Sequence, residues 1–246
     1  MNRDLNKEHT DNERKYGYSF DYDVMHHFML KAIKNFKKNE DILELGSFEG
    51  RFTERLVKSY KSITAVEGSS NAYEIAKKNP LLKNVNFICS MFENLELDER
   101  FSNILMSHVL EHIDDPIAVL KKINNELLAE DGLFFLICPN ANAPSRQIAV
   151  KMGLISHNSA VTPAEKEHGH NITYTLDTLE RDAKKSGLNV IHRTGIFFKG
   201  LANFQWDKLL SSDDEIISKE YLEGCYELGH QYPDLCSSIM LVCKKG

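Results

Sequence analysis

The segment Ile42-Leu43-Glu44-Leu45-Gly46-Ser47-Phe48-Glu49-Gly50 carries an apolar run into a turn with two glycines. Glycine permits positive φ and lets a ligand approach the backbone closely, so this spacing suits a cofactor held at the end of a strand. The dinucleotide fingerprint G-x-G-x-x-G is not met, because Phe48 and Arg51 take its second and third glycine positions. NAD and FAD are thereby disfavoured. The second chemical signal is histidine: His108 and His112 follow an apolar run, while His168 and His170 fall in a long segment without strong periodicity. Near pH 7, imidazole is the usual group for taking a proton from a hydroxyl or a protonated amine. His112 stands one helical turn from His108, a spacing that also suits capping or packing. The pair lacks the H-E-x-x-H or thiolate context of a zinc site, so no metal is expected.

The glycine loop resembles the E/D-x-G-x-x-x-G loop of class I S-adenosylmethionine (SAM)-dependent methyltransferases. Glu67, in Thr64-Ala65-Val66-Glu67-Gly68-Ser69, matches that family's acidic residue. It follows Gly46 by 21 residues, the separation that a carboxylate accepting from two ribose hydroxyls requires. Ser107-His108-Val109-Leu110-Glu111-His112-Ile113-Asp114-Asp115-Pro116 is similar to the S-x-V-L-E-H-I-x-D-P segment of the small-molecule subgroup, which includes the ubiquinone-pathway methyltransferases. The resemblance covers about residues 40–140. It implies SAM as cofactor and S-adenosylhomocysteine as product. Glu44, Gly46, Ser47 and Gly50 would form the cofactor loop, and Glu67 and Gly68 the ribose contact. Ser107 and His108 would meet the methionine part, and Tyr16 (or Tyr18) would help to close the pocket. Two positions depart from the family pattern: Phe48 stands where glycine is frequent, and Met91 where aspartate often meets the adenine. Met91 and Phe92 would then hold the adenine by packing and backbone groups. His168, His170 and His108, in that order, are the candidates for a catalytic base. The stretch from His168 to Leu179 also looks like bacterial methyltransferases of surface-glycan or specialised-metabolite pathways, which favours a polar small-molecule acceptor.

These residues need elements to place them. Apolar runs at 41–45, 62–67, 85–89, 102–107 and 133–138 alternate with helical patterns at 50–59, 70–78 and 116–129. Such alternation implies a parallel sheet covered on both faces. Right-handed crossovers bring the loops after the strands to one edge, where ligands bind. Further strands are expected at 188–195 and 238–243, and helices from Phe20 to Phe36, at 177–186 and at 213–228. The expected fold is α/β, Rossmann-like, with seven strands, mostly parallel, the last antiparallel. One domain is expected, with an arm and helix over 1–38, a cofactor core over 39–140, and cap segments and final strands over 141–246. An irregular cap would occupy 139–175 and 196–236. Phe197, Phe198, Phe204 and Trp206 could line an acceptor site or simply pack the core.

The 246 residues carry a net charge of −6, with 42% apolar and 27% charged residues, as expected of a chain with a real core. There is no basic excess to release counterions, so no nucleic-acid partner is expected. The longest apolar run, 133–138, is far short of the ~20 residues of a membrane span, and no secretory leader is apparent, so no membrane association is expected. Five cysteines without a C-x-x-C pair suit a reducing cytoplasm. Methyl transfer to an O or N atom is the function these signals point to. Two alternatives stay open: methylation of a quinone-like acceptor, and a SAM-binding protein without transferase activity.

Overall fold

The computed structural model describes residues 4–10, 17–36, 41–212 and 216–246; Tyr16 therefore lies outside the described residues. Seven strands form one sheet in the order β3-β2-β1-β4-β5-β7-β6. They are β1 (Asp41–Leu45), β2 (Ser62–Glu67), β3 (Asn86–Cys89), β4 (Phe101–Ser107), β5 (Leu128–Pro139), β6 (Asn189–Phe198) and β7 (Cys236–Lys244). Strands β3 to β5 pair in parallel across β2, β1 and β4, and β7 runs antiparallel to both β5 and β6. The expected fold class is therefore present, antiparallel last strand included.

Alternation along the strands sorts the core into two faces. Leu43, Leu45, Ile104, Met106, Phe134, Leu136, Ile239 and Leu241 pack on one side, with helices α5 (Pro116–Lys122) and α8 (Leu176–Lys185). Ile42, Leu105, Phe135, Ile137, Met240 and Val242 face the other, with α2 (His26–Lys34) and α10 (Lys219–Gln231). Period-two burial on both faces is what a doubly covered sheet requires.

Several elements differ from the sequence expectation in extent. The helix expected at 50–59 is a short α3 (Thr53–Leu56) between turns. The pattern over 116–129 ends early. Asp115 caps the start by accepting from Ala118 N (3.0 Å), α5 gives way to a π-helical turn at Ile123–Leu127, and β5 begins at Leu128. Asp131-Gly132, a pair suited to a tight turn, lies inside β5, where the register with β4 shifts between Phe101 and Asn103. The polar N-terminal stretch carries a helix, α1 (Leu5–Thr10), packed against α4 (Ser70–Lys78). Long segments after β5 hold α6 (Pro144–Lys151) and α7 (Pro163–Glu167), and α9 (Asn203–Leu210) follows β6.

Strand order reverses between β1 and β4, so the loops after these two strands diverge and leave a crevice at their carboxyl ends. No helix among the described residues is long and apolar enough to cross a membrane.

Candidate active site

A cavity of about 1260 Å³ opens at that crevice. One wall is the glycine loop. Gly46 has φ +86°, and its N–H and that of Ser47 donate to Val66 O, tying the loop to β2. A Cβ on Gly46 would lie 2.3 Å from Val109 Cγ2, so the loops after β1 and β4 touch here. Gly50, also at positive φ (+83°), does not line the cavity: a Cβ there would meet Leu82 Cδ1 at 2.5 Å. It serves the turn and its packing against Leu82.

Glu67, 8% exposed, ends β2 with its carboxylate cradled by the loop. Oε2 accepts from Phe48 N (2.7 Å) and Oε1 from Ser69 N (2.8 Å). Burial raises its pKa, against the lowering effect of these bonds. Glu44 is more enclosed. The Thr53 hydroxyl bonds its Oε2 at 2.6 Å, and burial pushes its carboxyl up to about 7. The Ser47 hydroxyl is buried and has no hydrogen-bond partner among the described residues. Met91, Phe92, Gly68 and Ser107 complete this end of the cavity, while the Ser107 hydroxyl is turned to Met29 Sδ at 3.4 Å.

The helix α1 covers the loop, which the polar composition of this stretch did not announce. Asn6 Oδ1 accepts from Ser69 Oγ, Ser70 Oγ and Asn71 N at the start of α4 (3.0–3.2 Å). His9 Nε2 lies 3.1 Å from Glu49 Oε1, and its ring packs on Phe48. Leu5 closes on Gly68, where a Cβ would sit 2.6 Å from its Cδ1.

His26, His108, His112, His168 and His170 also line the cavity. All three expected base candidates are thus brought together. His108 adopts φ +54°, its Nε2 lies 2.9 Å from Ser238 Oγ, and burial lowers its pKa to about 4. His26 stacks on Phe52 at 4.7 Å, and burial lowers its pKa to about 3. Both are neutral near pH 7. His26 opens α2 directly after a π-helical turn, Asp21–Met25, whose Asp21 and Tyr22 also line the cavity. The helical pattern concealed this, since a π-turn differs from an α-turn by one residue.

Asn171 joins the two histidine-bearing segments. Its N–H donates to Glu111 O (2.7 Å), and its Nδ2 to His112 O (3.1 Å) and Asp114 Oδ1 (2.8 Å). The His112 and His170 rings meet edge to face at 4.4 Å. Arg146 of α6 pairs with Glu165 of α7 and bonds the carbonyls of Asn158 and Ala160, fixing the loop ahead of His168. A further wall residue, Lys199, is 4% exposed; it donates to Leu201 O (3.0 Å) and Asn203 Oδ1, and burial draws its pKa down to about 8. Phe197, Phe198, Phe204 and Trp206 do not line the cavity. Phe197 and Trp206 are buried with Phe20 and Phe28, and Phe204 is half exposed.

With the double-glycine loop after β1 and the buried acid that ends β2 in place, residues 18–193 match one family model, described as a methyltransferase domain. The chain belongs to the methyltransferase-domain family. SAM is the cofactor that its motifs imply, and the fold agrees. Among curated relatives, a malonyl-[acyl-carrier protein] O-methyltransferase of Priestia megaterium is 28% identical over 65% of this chain and 62% of its own length. The match thus spans under two thirds of that relative. A ubiquinone biosynthesis O-methyltransferase of Coxiella burnetii is 27% identical over 77% of each chain. A possible histamine N-methyltransferase of Thermotoga maritima superposes with a TM-score of 0.67 at 19% identity, covering 99% of both chains. The N-methyltransferase NodS of Bradyrhizobium japonicum, solved with S-adenosylhomocysteine, gives 0.62 at 11% identity over 99% of both. These likenesses show that this methyltransferase domain shares the fold of its neighbours.

Proposed function

We propose that the chain transfers the methyl group of SAM to an oxygen or nitrogen of a small polar metabolite. The observation that carries this reading is the gathering of five histidines, two of them held neutral, in the cavity that the glycine loop lines. SAM is already an activated donor, so the protein must align the acceptor, exclude water and receive one proton. Glu67 supports the ribose assignment, because each oxygen accepts one loop amide and keeps a lone pair for a hydroxyl. The unpartnered Ser47 hydroxyl suits a contact to a bound polar group. Met91 and Phe92 would face the adenine, and Ser107 and His108 the methionine part.

The relatives with O-methyltransferase names support an oxygen acceptor, and the resemblance around His168 supports a product of surface-glycan or specialised metabolism. A silent SAM-binding protein fits less well: the cavity of about 1260 Å³ exceeds the roughly 300–1,000 Å³ of ordinary single-ligand pockets. The polar, histidine-rich wall also disfavours a quinone-like acceptor.

The test is methyl transfer from SAM to a panel of sugar nucleotides, hydroxy acids and amines, followed by single alanine variants of His168, His170 and His108. Loss of the general base lowers turnover by roughly a hundredfold or more and leaves SAM affinity nearly unchanged. If all three variants keep turnover within a few-fold of the parent, base catalysis by these residues is wrong, and alignment alone carries the reaction.

A further inference from the structure

We propose that Glu111, His112 and His170 form a site for one divalent transition-metal ion on the wall of the cavity. One ligand atom of each residue lies within 4.8 Å of the other two. Glu111 Oε1 and His112 Nε2 are already 3.9 Å apart. Tetrahedral ligands held ~2.1 Å from zinc stand roughly 3.4 Å from one another, so small side-chain rotations bring the three atoms to bonding distance.

The environment of Glu111 is the second, independent observation. The residue is 1% exposed and lines the cavity, and no nitrogen or oxygen donor of another described residue reaches either carboxyl oxygen. Its neighbours are its own backbone N–H and the buried Cys138 thiol, both weak company for a carboxylate. An enclosed acid of this kind is costly unless something pairs with it, and a cation supplies that partner. Two imidazoles and one carboxylate suit zinc, iron or nickel better than magnesium or calcium, which prefer oxygen ligands throughout.

The segment carrying the ligands is braced. Asn171, next to His170, donates to the backbone carbonyls of Glu111 and His112, so the loop after β4 and the cap loop are tied together. Supporting contacts of this sort orient metal ligands. Three protein ligands leave a fourth position facing the cavity, the arrangement of catalytic rather than structural zinc. An acceptor bearing a coordinating oxygen, a hydroxyl or carboxylate, would fill it. That last step rests on the methyl-transfer reading; the binding of the ion does not. With His170 a ligand, the general base falls to His168 or His108.

Untagged protein stripped with EDTA is titrated with Zn²⁺ by calorimetry, without SAM or acceptor, and with Co²⁺ by visible absorption. One Zn²⁺ per chain and a Co²⁺ d–d band are expected. Glu111→Gln and His170→Ala should each weaken Zn²⁺ binding by at least about tenfold, while His157→Ala, on an exposed loop, changes it by less than twofold. Metal-free melting curves check folding, and His170→Ala, a half-buried loop residue, serves if Glu111→Gln does not fold. Absence of saturable Zn²⁺ binding, or parental affinity and stoichiometry in His170→Ala, overturns the site. If Zn²⁺ binds but no acceptor is methylated, the site stands and the functional reading falls. Full methyl transfer by protein that binds no Zn²⁺ removes the site and leaves the methyltransferase.

Discussion

Glu67 does two jobs with one carboxylate. It ties Phe48 N and Ser69 N into a single rim and keeps lone pairs toward the cavity. Glu67→Ala should therefore weaken SAM binding while the sheet stays folded. Charge-assisted hydrogen bonds of this kind contribute about 1.5–3 kcal/mol, which corresponds to a roughly tenfold to hundredfold rise in Kd. Calorimetric titration with SAM, beside a melting curve, measures both effects; unchanged affinity would make Glu67 a purely structural residue. The spacing from Gly46 made this residue legible. Glu111 was not legible in the same way, since an acid inside L-E-H reads as part of a motif until its burial is known.

The glycine loop works as an element because it has no side chain where β1 and β4 diverge. At Gly46 the positive φ and the 2.3 Å approach to Val109 Cγ2 act together. Gly46→Val should lower the melting temperature and abolish measurable SAM binding. The strained backbone alone costs about 1–3 kcal/mol, and the added methyls must displace Val109 from the neighbouring loop. A variant that binds SAM with parental affinity would show that the loop is not the cofactor rim. The helix α1 was the element least visible in sequence. Five of its six residues are polar, and it is held by Asn6 at the start of α4 and Leu5 on Gly68, contacts made across the fold.

For the whole molecule, ligand linkage and proton linkage give separate checks. S-adenosylhomocysteine should raise the melting temperature and NAD should not, since only a ligand of the native state stabilises it. Stabilisation by NAD alone would contradict the cofactor assignment. The pH dependence follows from four buried groups. His26 and His108 have folded pKa values lowered to about 3 and about 4. Between 6.5 and those values the unfolded chain binds more protons, so their contribution is complete above pH 6.5 and is lost as pH falls. Glu44 and Glu111 have folded values raised to about 7 and about 8. Their contribution is complete below about pH 4.5 and is lost as pH rises through 7 and 8. The two sets oppose each other between about 4.5 and 6.5, giving a flat top there. In EDTA, the melting temperature should fall from pH 6.5 to 8, where the lowered pKa of Lys199 starts an opposing rise, and Glu44→Gln should make that limb shallower. A limb of the same slope in Glu44→Gln would show that this carboxyl is already ionised at neutral pH.

By itself the sequence determined the fold class, the cofactor family and the edge of the sheet where the cavity opens. Those follow from local information: the short apolar runs Asp41–Leu45 and Ser62–Glu67, the glycine spacing, and the acid at the end of the second strand. Element ends were less legible, because the π-turn at Ile123–Leu127 and the long β5 depend on neighbours rather than propensity. Only the tertiary structure decided which histidines share a wall. His112 and His170 stand 58 positions apart in the chain, and their rings meet because Asn171 bonds the loop after β4. It also decided that Phe197 and Trp206 belong to the core and that Gly50 serves its turn. Residue type limits what a side chain can do; long-range packing sets its neighbours and its access to solvent, and these choose among the possibilities.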